Sequence, residues 1–283
     1  MTSAPSLEYR CLGAPNENRL HYAKMPAEYQ IRSVNRALQV LIAVSELGEA
    51  DLSTVARTVG LHPTTTLRML ESLRSSDLIR QRKGLYEVGA RAFQIGCSFV
   101  NRKPLAQEAQ ALVDELARRV NETASFGILD DGEVLYLAIA PGERELGIQS
   151  TAGGRHPAHC TALGKVLLAD LPWESVETVL KAHPPVRLTP STLVEAAELR
   201  DELSRVAQQG YAVDDEERVP GVVCVAAPIR DQTGSVVAAM SISGPGLRIT
   251  SRRIPALARE VISISDEASG ILGAPQPVLE SRG

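Results

Sequence analysis

Residues 59–70 read VGLHPTTTLRML, three consecutive threonines between segments of helical periodicity. Branching at Cβ restricts χ1 and makes threonine a poor helix former, so a helix that opens on three of them needs a reason other than propensity. Gly60 ends the segment before it, and Pro63 fits a first helical turn, where its missing N–H has no partner to lose. With Thr66, Met69, Leu70 and Leu73 turned to a core, the outward side carries Thr64, Thr65, Leu67, Arg68 and Ser72. Hydroxyls and N–H groups at a helix start suit phosphate oxygens, an arginine pairs bidentately with a guanine edge, and leucine or a threonine methyl meets a thymine methyl. The stretch is therefore expected to open a recognition helix.

Upstream, Val34, Leu38, Leu41, Ile42 and Ser45 recur at helical spacing and predict an amphipathic helix from Ile31 whose buried stripe they form, stopped by Gly48. Leu52, Val55, Ala56 and Val59 predict a second, shorter helix capped by Asp51 or Ser53. Downstream, LIRQRKGLYEVG gives two β segments, residues 78–82 and 85–88, around a Lys83-Gly84 turn. Arg80, Arg82 and Lys83 make that hairpin a wing with a basic tip. A winged helix-turn-helix over residues 28–89, directed at double-stranded DNA, is the expectation. Basic and acidic residues nearly balance across this module, so contact rests on local placement and not on a net field.

The 283 residues are 44% hydrophobic and 23% charged, with a formal net charge of -4, the composition of an ordinary soluble protein of one large or two modest domains. Cys11, Cys97, Cys160 and Cys224 are scattered without a CxxC pair and suit reduced thiols. No apolar run reaches the roughly 18 residues of a membrane span, and the N-terminus lacks the apolar segment of a secretory leader. A cytoplasmic location without a membrane partner is expected. Residues 1–27, with Pro5, Pro15 and Pro26, and residues 274–283 read as flexible tails.

Residues 90–103, from ARAFQIGCSFVNR to just before Pro104, read as a linker helix. The texture then changes. ASFGILDDGEVLYLAIA signals a hairpin turning at Asp130-Asp131-Gly132, and VVCVAAPIRDQTGSVVAAMSISGP repeats the device with a turn at residues 231–234. Helical stretches over 164–170, 173–182, 193–209 and 254–272 lie between and after the hairpins. The fold class expected is α+β, with an antiparallel sheet in a sensor domain over residues 104–273.

Two segments are more specific: HCTALGKVLLA at 159–169 and GYAVDDEERVPGVVCVAAPI at 210–229. On these, together with the winged module, the chain resembles the IclR family of transcriptional regulators over about residues 31–273. The second segment carries the family's Gly, Asp, Glu and Cys at Gly210, Asp214, Glu217 and Cys224, followed by Asp231; it departs at Arg230, where the family usually has an aromatic residue. Leu67 stands where many members are polar. The resemblance implies an effector-binding domain similar to GAF and PAS sensors, a homodimer or homotetramer, and operator occupancy that changes with a small metabolite. It also implies effector contacts at Ala162, Leu163, Asp214, Cys224, Ser241 and Ser243. The residues support a pocket independently. Thr161 can cap a helix whose first N–H groups favour a carboxylate, which suits a small organic-acid effector, and Ser241 and Ser243 share one face of a strand.

Other chemistries compete with this one. His156, His159 and Cys160 have ligand-like spacing and, with Asp214 or Cys224, would make a zinc site, but the local segment supplies three ligands at most where a closed structural site takes four. No metal and no cofactor is expected. An enzyme using Cys160 or Cys224 as nucleophile and His156 or His159 as base lacks an oxyanion motif and leaves the winged module unexplained. A purely structural role is the third reading, and saturable DNA binding would exclude it.

Overall fold

A computed structural model of the chain describes residues 31–100, 104–142 and 151–274. The tail read over 1–27, all but the first residue of the tail read over 274–283, and the end of the linker reading at 101–103 lie outside the described residues.

Helices Arg32–Leu47 (α1), Leu52–Val59 (α2) and Pro63–Ser75 (α3) and the hairpin Ile79–Arg82 (β1) with Leu85–Val88 (β2) close around Val40, Val44, Val55, Leu70, Leu73, Ile79 and Tyr86. Local chemistry sets the boundaries. Asp51 accepts the Thr54 N–H at 2.7 Å and caps α2, and Gly60 takes a left-handed φ of 63° that turns the chain into α3. Lys83 and Gly84, at φ 49° and 85°, form the two-residue turn whose twist matches the paired strands.

α1 corrects the expected stripe. Its buried face is Val40, Ala43 and Val44, whereas Val34, Leu38 and Ile42 stand in solvent, Ile42 at 56% exposure. The helix carries two apolar stripes, and the bulkier one points outward. Periodicity detects both and does not say which one meets the core.

Helix Ala90–Val100 (α4) precedes Pro104–Val120 (α5). Strands Thr123–Asp130 (β3), Glu133–Ala140 (β4), Arg155–Pro157 (β5), Ala212–Asp215 (β6), Val222–Arg230 (β7) and Val236–Pro245 (β8) form one antiparallel sheet in the order β5-β4-β3-β8-β7-β6. Both expected hairpins are present. The β3–β8 pairing that joins them, and the short edge strands β5 and β6, were not foreseen.

The two-residue period of each strand divides its side chains between two layers. Val223, Val225, Ala227 and Ile229 of β7 and Met240 and Ile242 of β8 face α5 and helix Ile254–Ile271 (α9). Ala226 and Ala239 face the other side, with Ala162–Ala169 (α6), Trp173–Ala182 (α7) and Ala196–Gln209 (α8). α6 can sit where it does because residue 164 is glycine: a Cβ there would lie 2.1 Å from the Ala158 carbonyl oxygen. Arg230, the departure from the family pattern, is built into the fold as an ion pair. Its Nη1 is 2.9 Å from Asp170 Oδ1, while Asp170 Oδ2 accepts the Val236 N–H at 2.8 Å.

Candidate functional site

On α3 the expected outward residues lie outward: Thr64, Leu67, Arg68 and Ser72 are exposed, Thr65 is half-buried and Thr66 is buried. His62, which sequence reasoning missed, begins the helix. Its Nδ1 accepts the Thr64 N–H at 3.3 Å, and its carbonyl accepts the Thr65 and Thr66 N–H groups at 2.9 and 3.0 Å. The first-turn N–H groups are thereby engaged, so phosphate contact at this end falls to side chains and not to orphan backbone donors, a correction to the helix-start argument. In the wing, Arg80 Nε lies 2.6 Å and Arg82 Nε 3.7 Å from the same Glu87 oxygen. Two of the three wing cations share one carboxylate, and Lys83 at the tip has no acidic partner among the described residues.

A second site lies where the N-terminus of α6 meets the sheet. A cavity of about 30 Å³ is lined by Thr161, Ala162, Leu163, Asp214, Cys224, Ser241 and Ser243, all seven residues expected of the effector site, together with Ser125, Tyr136, Arg218, Val219 and Val222. Strand register explains the gathering. Asp214 of β6 pairs with Cys224 of β7 and Cys224 with Ser243 of β8, while Ser241 stands opposite Ser125 of β3. Thr161 caps α6 as expected, its hydroxyl oxygen accepting the Gly164 N–H at 3.2 Å. Arg218 and Tyr136 gave no sign in sequence that they belonged here, because neither spacing nor periodicity reports that β6, its following loop and β4 approach one cavity.

Charge is concentrated beneath this cavity. Asp214 is 2% exposed and accepts the Glu217 N–H at 2.8 Å; burial outweighs its hydrogen bonds and pushes its pKa up to about 6. Burial likewise lifts Glu217 to about 7, against the pull of Lys165. Lys165 is 1% exposed and donates to Glu217, to Glu202 Oε1 at 3.0 Å and to the Val213 carbonyl at 2.8 Å. Among the described residues Glu217 Oε2 is buried without a hydrogen-bond partner.

The histidine and cysteine residues do not converge. His156 Nδ1 faces Arg218 Nη2 at 2.7 Å, His159 Nε2 faces the Val186 carbonyl at 3.1 Å, and Cys160 Sγ lies 3.9 Å from the Pro157 carbonyl. Residues 158–160 form a 3₁₀ turn, in which successive side chains point about 120° apart. Among the described residues no group of three or more His, Cys, Asp and Glu side chains could hold a metal ion. Burial pushes the Cys160 thiol up to about 12 and holds Cys224 well above its ordinary value, so both are protonated and weak nucleophiles at neutral pH. The zinc and thiol-enzyme alternatives find no support in this arrangement. No helix among the described residues is long and apolar enough to cross a membrane.

Comparison with known proteins gives matches at both sites. Residues 33–83 match the family model of the IclR helix-turn-helix domain, and residues 97–270 match that of the bacterial transcriptional regulator IclR C-terminal domain. The HTH-type transcriptional regulator BhcR of Paracoccus denitrificans is 33% identical over 241 residues, covering 84% of this chain and 86% of that one. The transcriptional repressor IclR of Escherichia coli is 32% identical over 252 residues, 87% of this chain and 92% of its own. The crystal structure of Thermotoga maritima IclR is similar with a TM-score of 0.73 at 26% identity, covering 86% of this chain and 100% of that one.

Proposed function

The chain belongs to the IclR family of transcriptional regulators, with a DNA-binding helix-turn-helix and an effector domain, and on that premise we propose that a small organic acid of a catabolic pathway, held in the cavity at the start of α6, controls its occupancy of a double-stranded operator. The observation that carries this reading is the convergence of Thr161, Ala162, Leu163, Asp214, Cys224, Ser241 and Ser243, from separate stretches of chain, on one cavity. The polar lining and the N-terminal end of α6 suit an anion.

Residues 28–89 act as the DNA-binding domain, 90–103 as the linker and 104–273 as the effector-binding and oligomerisation domain. Thr64, Thr65, Leu67, Arg68 and Ser72 meet the major groove; Arg80, Arg82 and Lys83 meet the backbone beside it. A homodimer is supported by the outward stripe of α1, Ile31, Val34, Leu38 and Ile42, and by Phe93 and Ile95 of α4, Phe93 being 76% exposed. Apolar side chains so placed gain from cover by a second copy. Two recognition helices then meet half-sites about 34 Å apart or a multiple of that. A coupling of about 1–3 kcal/mol between sites changes operator affinity by roughly 5–150-fold.

The test is a DNase footprint on the DNA flanking the protein's own gene, with and without a panel of organic acids. A protected palindrome whose occupancy changes with one acid supports the reading. Absence of protection at low salt, where phosphate contacts are strongest, refutes it.

A further inference from the structure

Arg218 stands apart from the other cations packed into the effector domain. Arg230 is paired with Asp170, Arg248 with Glu122 and Lys165 with Glu217 and Glu202. The half-buried Arg218 lines the cavity, and among the described residues its guanidinium contacts no carboxylate. Its partner is neutral. Nη2 lies 2.7 Å from His156 Nδ1, and the His156 ring stands edge-on to Tyr136 with centroids 4.9 Å apart. Burial, aided by the charge of Arg218, holds the His156 pKa down at about 4, so the imidazole accepts through Nδ1 at physiological pH. One contact of five N–H groups leaves a guanidinium fork aimed by His156 and Tyr136 and not neutralised by either.

The same cavity presents an acceptor in Asp214, buried and anchored by the Glu217 N–H. A ligand spanning the two groups needs a carboxylate for Arg218 and a hydrogen-bond donor for Asp214. An ammonium donor is disfavoured, because the positive end of α6, at Ala162 and Leu163, lines the same space. A dicarboxylate would set its second charge against Asp214. The cavity is small, which favours a short ligand. We propose that Arg218 is the specificity-determining residue of the cavity, its guanidinium pairing with the carboxylate of a short hydroxycarboxylic acid whose hydroxyl donates to Asp214. This rests on the cavity being the effector site.

Calorimetric titration of the full chain tests it with 2-hydroxy acids of two to four carbons, their uncharged amides, glycine and alanine, and benzoate. The wild type is expected to bind a hydroxy acid and not its amide. Arg218→Gln should weaken the acid by about 10–150-fold, as the loss of a charge-assisted hydrogen bond does, and Arg218→Lys should restore part of the affinity. Ser241→Leu, which fills the cavity and leaves the Arg218 guanidinium itself in place, should abolish binding. An acid bound equally by wild type and Arg218→Gln, yet lost in Ser241→Leu, overturns the role of Arg218 and leaves the effector site in place. Binding unchanged in both variants overturns the site itself. Binding of an amino acid, of benzoate or of the amide in preference to the hydroxy acid, or of nothing in the panel, overturns the ligand class.

Discussion

The face of α3 proposed to meet DNA stands in water, with Thr64, Leu67, Arg68 and Ser72 exposed and Arg68 in contact with no acid among the described residues. Around the proposed effector cavity the polar groups are inside, Asp214 at 2% exposure and Lys165 at 1%. An exposed side chain is solvated before and after folding, so its identity reports on a partner and costs the fold almost nothing. A buried one has lost its water, and the fold must supply hydrogen bonds or an opposite charge in return. Variants of the first kind should separate function from stability, and variants in and beneath the cavity should move both together.

The largest departure is expected at Gly164, where the second region has no slack. A methyl group there meets the Ala158 carbonyl oxygen at 2.1 Å, and the obstacle is backbone that cannot rotate away. Gly164→Ala should destabilise the effector domain by about 3 kcal/mol or more, read by urea denaturation. A change within about 0.5 kcal/mol would show that α6 can slide, and the contrast between a rigid cavity and a free surface would fail.

Next in size is a pH effect confined to the buried cluster. Glu217 is raised by burial from 4.5 to about 7 and Asp214 from 3.8 to about 6. Groups with raised values favour the folded state when protonated, so their contribution is fully present below the unfolded values and is lost as pH rises through about 6 and then about 7. His156 works in the opposite sense, its contribution being lost as pH falls below 6.5 toward about 4. The clean measurement is therefore a difference: wild-type stability minus that of Glu217→Gln, followed from pH 5.5 to 8.5. Over that window it should fall with rising pH by about 2 kcal/mol. A difference that grows with pH would mean that Lys165 outweighs burial.

Arg68→Ala should lower specific operator affinity by roughly 5–150-fold in a gel-shift titration, with thermal stability and effector affinity unchanged. Asp214→Ala should do the converse, losing effector response while unliganded DNA affinity persists, and it should also shift the melting temperature. Equal loss of both activities in either folded variant would break the division between the two regions.

That division was partly legible in the chain itself. Helix boundaries, the wing, both hairpins and the seven cavity residues were reachable because capping groups, glycine turns and two-residue alternation are local, and because two segments carry a family pattern. What escaped was non-local. Nothing in the spacing of α1 distinguishes Val40 and Val44, which are buried, from Leu38 and Ile42, which are not, because the choice belongs to the helices packed against it. Arg218 escaped for the same reason: its pairing with His156 spans 62 positions. His62 shows a different limit, since a cap by imidazole nitrogen has no place in the usual preference for Ser, Thr, Asp and Asn.

The smallest expected effect tests the first region against itself. Within the wing, Lys83 has no acidic neighbour among the described residues, while Arg80 and Arg82 share Glu87. If DNA contact follows free charge, Lys83→Ala should weaken specific and non-specific DNA alike and reduce the slope of log affinity against log salt by about 1. Glu87→Gln should act the other way, because Arg80 and Arg82 then lose their competitor for phosphate, and the slope should steepen. The two changes lie a few residues apart on one hairpin, so opposite signs would locate the effect in electrostatics. A Glu87→Gln protein that binds DNA more weakly would instead assign Glu87 to holding the wing in shape, and the exposed region would share the coupling of fold and function found around Asp214.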